Sequence, residues 1–271
     1  MLSTGALRAH LLAARLAGPV GTPRQDSLRS YRLFAARDPR VTLGLDPARG
    51  WDEGDLLRLM ADKCGVSDDP RYVSGPDVID PERTLAGLDA FAERLALVVR
   101  RRAPVLLGTG HPHRLLGFYA GLADALSAAG CPVLTPAQGR SVDITTRFGV
   151  RTHRLDYVRG VAMMREPGVR APGGEPGVHT HSPLPVRAAL EALAEGFGAL
   201  PELVIGDHGW VCGAGQLGIE AIGLADTNDP ALFVGEAEGQ VSVAVPLDDA
   251  VRSDHYRPLT RYVLNRACLS P

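Results

Sequence analysis

The sequence predicts an α/β protein with a doubly wound, mostly parallel sheet of the flavodoxin or Rossmann type and additional helices at its N-terminus. Two observations lead to this prediction. From residue 80 onward, short apolar segments alternate with amphipathic segments of helical period, which is typical of β-α-β units. Five of the eight histidines also follow such apolar segments, at the edge where open parallel sheets bind their ligands.

The composition is that of a globular protein with a sizeable core, because 45% of the 271 residues are hydrophobic and 22% are charged. We expect one α/β domain over residues 1–271. A formal net charge of -2 provides no global field for nucleic acid or an anionic membrane, so we expect neither partner. No apolar run reaches the roughly 18 residues of a membrane span. Arg8, His10 and Arg15 interrupt the apolar N-terminus, unlike in a signal peptide, and we expect a cytoplasmic location.

Residues 1–80 are predicted to be mainly helical and to pack on the sheet or cap its edge. Apolar residues at helical spacing predict helices over 3–17, 24–37 and 53–64. The segment GPVGTP at 18–23 is predicted to be a turn between the first two helices. Gly65 is expected to end the third helix, since glycine often follows the last helical residue.

A helix over residues 80–102 has the clearest signals. Asp80 suits the N-cap, Pro81 suits the first turn, and the arginines at 100–102 match the negative end of the helix dipole. We therefore expect the arginine run to be a solvated helix end and not a nucleic-acid site.

The alternation of strands and helices then continues to the C-terminus. A β-α-β unit is predicted from strand 105–107, helix 114–129 and strand 132–134. Residues 141–165 could hold one or two strands, for example at 158–164, and the segment 166–182 is expected to be a long loop. The remaining predicted elements are a helix at 184–197, a strand at 203–205, a short helical segment near 210–217, strands at 221–225 and 241–245, and a final helix at about 254–266.

The first candidate site follows strand 105–107, where residues 108–114 have the sequence GTGHPHR. Backbone N–H groups, a helix dipole and an arginine could all face one anion there. We assign phosphate binding to Thr109, Gly110, His111, His113 and Arg114. The alternative is a tight turn whose glycines only permit the bend. The segment lacks the Gly-Lys-Ser/Thr end of a P-loop, so triphosphate binding is not implied.

Two His-x-His pairs indicate a metal site, one at His111 and His113 and one at His179 and His181. Histidines two residues apart project to the same side of an extended segment, as in sites of divalent-metal hydrolases. We assign His179, His181 and Asp226 to a divalent ion, which would be Mg²⁺, Mn²⁺ or Zn²⁺. The alternatives are that the histidines bind phosphate directly or only form hydrogen bonds within loops.

The candidate catalytic residues are Asp207, His208 and Asp226, which follow two further predicted strands. Such groups can activate water, protonate a leaving oxygen or orient a metal. Capping a turn is the commonest role of aspartate at a strand end, and it is the expected role of Asp229 and the alternative for Asp226 and for Asp248 or Asp249.

The segment GAGQLG at 213–218 matches the dinucleotide fingerprint by its letters. A predicted strand begins about three residues later, which leaves no room for the helix that should follow the fingerprint. A packed helix end is the better interpretation, and we expect no nucleotide cofactor.

Residues from about 100 to 266 resemble an actinobacterial family of uncharacterised phosphatases. The resemblance rests on the segments GTGHP at 108–112, GDHGW at 206–210 and ADTNDP at 225–230. It implies phosphomonoester chemistry. Residues 217–228 and 246–250 are also similar to the end of a flavodoxin-like ribosomal protein of the small subunit, which supports the architecture more than a function.

These observations predict a phosphatase that acts on a small phosphorylated metabolite, with possible help from a divalent ion. A sugar-phosphate isomerase would need the same anion site and a His or Asp base. In a non-catalytic module that binds a small ligand or a partner, the strand-end residues would only form turns. Release of free phosphate separates the first hypothesis from the other two. The sequence carries no signal that sets an oligomeric state.

Overall fold

The computed structural model describes residues 3–146, 149–168, 177–196 and 198–269. It confirms the predicted α/β class and the mostly parallel sheet. The strands are β1 (Gly18–Pro23), β2 (Pro76–Ile79), β3 (Val105–Gly108), β4 (Ser141–Thr146), β5 (Gly149–Val158), β6 (Val161–Arg165), β7 (Leu203–Asp207), β8 (Ala221–Ala225) and β9 (Val243–Pro246).

Helices precede, connect and follow these strands in the described parts of the chain. They are α1 (Thr4–Ala13), α2 (Arg24–Ala35), α3 (Pro39–Thr42), α4 (Glu53–Cys64), α5 (Pro81–Arg101), α6 (Pro112–Ala128), α7 (Leu184–Glu195), α8 (His208–Gln216), α9 (Pro230–Ala237) and α10 (Arg257–Arg266), with a 3₁₀ turn at Ser253–Tyr256 before the last. Within the described ranges, no helix has the length and apolar character needed to cross a lipid bilayer.

The large sheet has the strand order β4-β5-β6-β3-β7-β8-β9. Strands β6, β3, β7, β8 and β9 are parallel, whereas β4 and β5 add an antiparallel edge. When the five parallel strands are numbered along the chain, their order in the sheet is 2-1-3-4-5, the flavodoxin-like order. The order reverses between β3 and β7, so this topology creates a crevice at the carboxyl ends of these two strands.

Helices cover both faces of the parallel strands. Leu107 and Ile205 belong to a core that includes α1, α5, α6 and α10. Leu106 and Val204 face the opposite core, which includes α2, α4, α7, α8 and α9. This alternation is typical of a parallel sheet that is buried on both faces. The N-terminal helices are divided between the two cores, and the assignment of one domain with a helical N-terminal part stays a prediction.

The N-terminal elements agree with the sequence except in one segment. Helices α2, α4 and α5 are confirmed, Gly65 ends α4 in the left-handed conformation, and the Asp80 side chain accepts a hydrogen bond at the start of α5. Helix α1 is shorter than predicted. The prediction of a turn at 18–23 is wrong, because this segment is strand β1 and pairs with β2. Its glycines and prolines hide the strand, since both residue types are depleted in strands.

The middle of the chain differs more from the predictions. The predicted strand at 132–134 is reduced to a single bridge between Val133 and Val105, so the neighbours of β3 are β6 and β7. Residues 141–165 contain three strands where one or two were predicted. Helix α9 was not predicted, because residues 230–235 are all buried and the helix lacks an amphipathic pattern. The predicted loop at 166–182 lies partly at 169–176, outside the described residues.

A buried ion pair ties the start of α2 to β2. The Arg24 side chain is fully buried, and its Nη1 lies 3.4 Å from Asp77 Oδ1. Its Nη2 donates to the carbonyl of Ser67 at 2.7 Å and its Nε donates to that of Tyr72 at 3.1 Å. The guanidinium therefore holds together the loop before β2, the small sheet and α2.

We expect the substitution Arg24→Ala to lower the free energy of unfolding by about 3–5 kcal/mol, because it leaves the Asp77 carboxylate buried without its cation. Urea denaturation of the purified protein measures this change. Arg71→Ala is the matched control, since Arg71 is 89% exposed in its pair with Asp69 and should leave the midpoint unchanged. Equal midpoints for both variants would contradict a structural role for the buried pair.

Candidate functional site

The carboxyl ends of β3 and β7 bring four histidines together. His111 follows β3, His208 follows β7, and His179 and His181 lie between β6 and α7. The ring centroids of His111 and His179 are 4.1 Å apart, as are those of His181 and His208. The centroids of His111 and His208 are 4.4 Å apart. These four residues, the histidine cluster, occupy the crevice that the strand order creates.

Three aspartates border the histidine cluster. Asp207 Oδ2 lies 3.4 Å from Nδ1 of both His111 and His208. Asp229 Oδ2 lies 3.1 Å from His208 Nε2. Asp249 Oδ2 lies 3.4 Å from His111 Nδ1 and 3.6 Å from His208 Nε2. In the described part of the chain, these carboxylates form ion pairs with histidines alone.

Glycines in adjacent strands allow α8 to approach the sheet closely and so position His208. Gly108 and Gly206 are register partners in β3 and β7. A methyl group on Gly108 would lie 2.2 Å from the ring of Trp210, which follows His208 in the first turn of α8. His208 itself has a φ of 47°, a left-handed conformation that costs a non-glycine residue on the order of 1–3 kcal/mol. Packing of Trp210 against the glycine backbone helps to hold this conformation.

Thr109 and Gly110 form hydrogen bonds inside the site. The Gly110 N–H donates to Asp207 Oδ2 at 3.0 Å, and Thr109 Oγ1 accepts from the His111 N–H at 3.0 Å. The Thr180 N–H donates to the Gly110 carbonyl at 3.0 Å, which ties the second histidine pair to the end of β3. The N–H group of Gly110, which the sequence assigns to a phosphate, is thus already bonded to a carboxylate.

His113 and Arg114 lie outside the histidine cluster. Both are exposed in the first turn of α6, which begins at Pro112. Successive residues of a helix point about 100° apart, so His113 does not share a side with His111 as it would in an extended segment. Among the described residues, no hydrogen bond or ion pair joins His113 or Arg114 to the cluster. Their assignment to phosphate binding stays a prediction.

Asp226 belongs to a second group, the acidic cluster of Asp226, Asp248 and Asp249. One carboxylate oxygen from each lies within 4.8 Å of the others. The Thr22 hydroxyl in β1 donates to Asp226 Oδ2, and the Thr227 N–H donates to Asp226 Oδ1 at 2.6 Å. The Asp226 carboxylate is thus grouped with Asp248 and Asp249, and its assignment to an ion shared with His179 and His181 stays a prediction. Asp249 borders both clusters.

Burial and neighbouring charges set the protonation of the site. Burial and the adjacent imidazoles lower the pKa of His179 to about 3 and that of His181 to about 4. Burial also opposes a charge on His208, but the carboxylate of Asp229 raises the pKa of His208 to about 10. Burial raises the pKa of the Asp249 carboxyl above its usual range. His179 and His181 are thus neutral near pH 7, which is the form that binds metals.

Asp229 and Asp249 are residues of the site to which the sequence analysis gave a capping role. Both follow strands, as do the predicted catalytic acids, but aspartate at these positions usually caps a turn. The signal that distinguishes them is the strand order, since β8 and β9 end at the same edge of the sheet as β7. That order is not readable from local sequence.

A cavity of about 620 Å³ opens beside His179 and His181. Its apolar wall includes Ile144, Val178 and Leu184. This volume lies within the range of small-molecule sites, which are mostly apolar with a few polar groups that fix orientation. The histidine cluster therefore has an adjoining space for an organic ligand.

Comparison with known proteins extends over nearly the whole chain. A model of the family described as Phosphatase matches residues 2–271. A protein of Streptomyces coelicolor (strain ATCC BAA-471 / A3(2) / M145) named Phosphatase SCO2771 is 42% identical over 269 residues, which cover 98% of this chain and 97% of that protein. The matched region therefore spans the segments that contain the histidine cluster and the acidic cluster.

We expect Gly110→Ala to disturb the site, because the added methyl would lie 2.3 Å from the Thr180 carbonyl and 2.9 Å from His208 Nδ1. Such overpacking costs roughly 1–3 kcal/mol, or about 2–4 °C in melting temperature for each kcal/mol. Gly117→Ala is the control, because nothing lies within 4 Å of a methyl at this position in α6. Melting temperatures measure both effects, and an unchanged value for Gly110→Ala would contradict the close approach of the 179–181 segment.

Proposed function

The chain belongs to the phosphatase family, and we propose that it hydrolyses phosphomonoesters of small metabolites at the histidine cluster with a divalent ion bound there. The family supports the reaction type. The observation that carries the location is the convergence of four histidines and three aspartates at the point where the strand order reverses. Ligands of flavodoxin-like sheets bind at this point.

Buried polar atoms without partners support an ion at this site. Among the described residues, His111 Nδ1, His208 Nδ1, Asp207 Oδ1 and Asp249 Oδ2 are buried and form no hydrogen bond. Leaving such a group unsatisfied costs about 1–3 kcal/mol. The two carboxylate oxygens among them lie in residues that border the histidine cluster, where a cation would compensate their charge.

The spacing of the candidate ligand atoms also fits a bound divalent ion. One ligand atom each from His181, His208 and Asp229 lie within 4.8 Å of one another. His179 Nε2 and His181 Nε2 are 3.1 Å apart, close to the ~3.4 Å that separates ligand atoms around a tetrahedral ion with bonds of ~2.1 Å. We therefore assign His181, His208 and Asp229 as the ligands. Their imidazole-rich character favours Zn²⁺ over Mg²⁺. His179 lies beside this set, because its ligand atom groups with those of His111 and His208 instead. His208 would bind the ion as a neutral imidazole, so the ion would take the place of the proton that the Asp229 carboxylate stabilises.

The charge of the site gives a further reason to expect a bound divalent ion. A phosphomonoester carries between about -1.5 and -2 charges near pH 7. Among the described residues, the three aspartates of the site form ion pairs with histidines alone. Their carboxylates would therefore repel this dianion. A bound divalent ion supplies positive charge against the phosphoryl oxygens and polarises them for attack by water.

Proton transfer is assigned to His111. Its Nδ1 lies 3.4 Å from both Asp207 Oδ2 and Asp249 Oδ2, and its side chain is 15% exposed, more than that of any of its acidic neighbours. Carboxylates at Nδ1 orient the ring and leave Nε2 to hold the proton that the leaving oxygen receives. Asp207 is fully buried and is a positioning residue, because it binds the Gly110 N–H and faces two imidazoles.

The cavity beside His179 and His181 is assigned to the leaving group. Its volume of about 620 Å³ is that of a site for a small organic molecule. The apolar side chains of Ile144, Val178 and Leu184 would contact the carbon skeleton of the substrate, while the phosphoryl group faces the histidines.

The test is phosphate release from a panel of phosphorylated metabolites, measured before and after chelation with EDTA. We expect chelation to abolish release and Zn²⁺ or Mn²⁺ to restore it. His181→Ala should lower kcat/KM by at least about 100-fold, because it removes a ligand of the ion, and loss of residues that merely support such ligands already costs about 10–100-fold. His10→Ala, on α1 and bonded to the His255 carbonyl, is the control and should keep full activity.

Two outcomes would contradict this proposal. Full activity of His181→Ala would exclude the histidine cluster as the site of hydrolysis. Absence of phosphate release from every substrate, combined with formation of an isomeric phosphate ester, would favour the sugar-phosphate isomerase.

The leaving-group assignment predicts a change in substrate size preference. Leu184→Trp should raise KM several-fold for substrates with bulky leaving groups and leave kcat for the smallest substrate unchanged, because the larger side chain reduces the cavity volume. Leu217→Trp is the control, since Leu217 is 54% exposed at the end of α8 and does not line the cavity. Equal KM changes for small and bulky substrates would argue against this location.

A further inference from the structure

The acidic cluster is buried and lacks basic partners. The exposed fractions are 1% for Asp226, 2% for Asp248 and 5% for Asp249. Within the described ranges, neither Asp226 nor Asp248 forms an ion pair with a lysine, arginine or histidine. Burial of an ionised carboxylate is costly unless a cation or a proton compensates it. Three carboxylates at this spacing therefore need either protons or a bound cation.

Two backbone hydrogen bonds hold the Asp248 carboxylate in place. The Gly21 N–H donates to Oδ2 at 2.8 Å and the Ala250 N–H donates to Oδ1 at 2.9 Å. Each oxygen of a carboxylate has two lone-pair sites, so both oxygens can still accept a cation. Asp248 is thus oriented as a ligand by the backbone of β1 and of the residues after β9.

Asp249 gives a further indication of a ligand, because its carboxylate keeps an oxygen without a hydrogen bond. Its Oδ2 is buried and forms no hydrogen bond among the described residues, although it lies 3.4 Å from His111 Nδ1 and 3.6 Å from His208 Nε2. The same carboxylate lies between the two clusters, close to Asp226 and Asp248 on one side and to His111 and His208 on the other. A carboxylate in this position can contact a cation in either cluster.

We propose that Asp226, Asp248 and Asp249 bind a second divalent cation next to the ion of the histidine cluster. An all-oxygen ligand set favours a hard cation such as Mg²⁺ or Mn²⁺, whereas the histidine cluster favours Zn²⁺. The hydroxyl of Thr22, which donates to Asp226, orients that ligand from β1. A contribution of the second cation to hydrolysis rests on the proposed function, but its binding does not.

The test loads metal-free protein with one equivalent of Zn²⁺ and then titrates Mn²⁺, with bound metals counted by elemental analysis and Mn²⁺ affinity measured by calorimetry. We expect one Mn²⁺ per chain to bind while Zn²⁺ is retained. Asp248→Asn should weaken Mn²⁺ binding about 10–100-fold with no loss of Zn²⁺. Asp254→Asn, an exposed substitution in the 3₁₀ turn, is the control and should bind both metals normally.

A thermal measurement keeps the test valid if Asp248→Asn folds poorly. Saturating Mn²⁺ should raise the melting temperature of the Zn²⁺-loaded wild-type protein, since a ligand that binds only the folded state stabilises it. Asp226→Asn should lose this increase. Failure of the Zn²⁺-loaded wild-type protein to bind Mn²⁺ would overturn the proposal.

The outcomes separate this proposal from the proposed function. Phosphate release that needs Zn²⁺ alone, with no Mn²⁺ bound, would overturn the second site and leave the phosphatase assignment intact. Mn²⁺ binding that is lost in Asp248→Asn, without phosphate release from any substrate, would support the second site and contradict the function. Mn²⁺ binding that is lost only in His181→Ala would overturn the acidic site.

Discussion

Compensation of buried negative charge is the constraint on which this site depends. Asp207, Asp229 and Asp249 are buried where β7, β8 and β9 end, and their charges are opposed by two imidazoles and one backbone N–H group. A buried carboxylate is stable only when paired, so these acids fix the positions of His111 and His208. The same need for positive charge explains why buried carboxylate oxygens of Asp207 and Asp249 have no hydrogen-bond partner among the described residues. Divalent ions at the two clusters would complete the compensation and supply the charge that attracts a phosphoryl group.

The fold produces this concentration of charge through strand order. Residues that lie about a hundred positions apart in the chain meet because β3 and β7 are adjacent, with Gly108 opposite Gly206. The glycines allow α8 to pack closely on the sheet, and this contact supports the left-handed backbone of His208. Backbone strain of this kind is found mainly at functional sites. It persists only where the surrounding packing sustains it. Strand β1 adds donors to the acidic cluster from outside the large sheet.

Local signals in the sequence predicted some parts of this arrangement and missed others. Helix α5 was predictable from its cap and apolar stripe, and the strand-end histidines indicated the functional edge of the sheet. The sequence did not reveal that Asp226 would lie beside Asp248 and Asp249, because this depends on the pairing of β8 and β9. Asp229 and Asp249 resemble ordinary turn caps until the strand order is known. Strand β1 was missed because Gly and Pro depress strand propensity, whereas pairing with β2 stabilises it.

Anomalous diffraction from crystals grown with Zn²⁺ and soaked in inorganic phosphate would locate the ion and the reaction product together. We expect a zinc peak within bonding distance of His181, His208 and Asp229, with phosphate beside it and facing the cavity. A zinc peak elsewhere, or phosphate bound at the exposed Arg114 with the histidine cluster empty, would contradict this expectation.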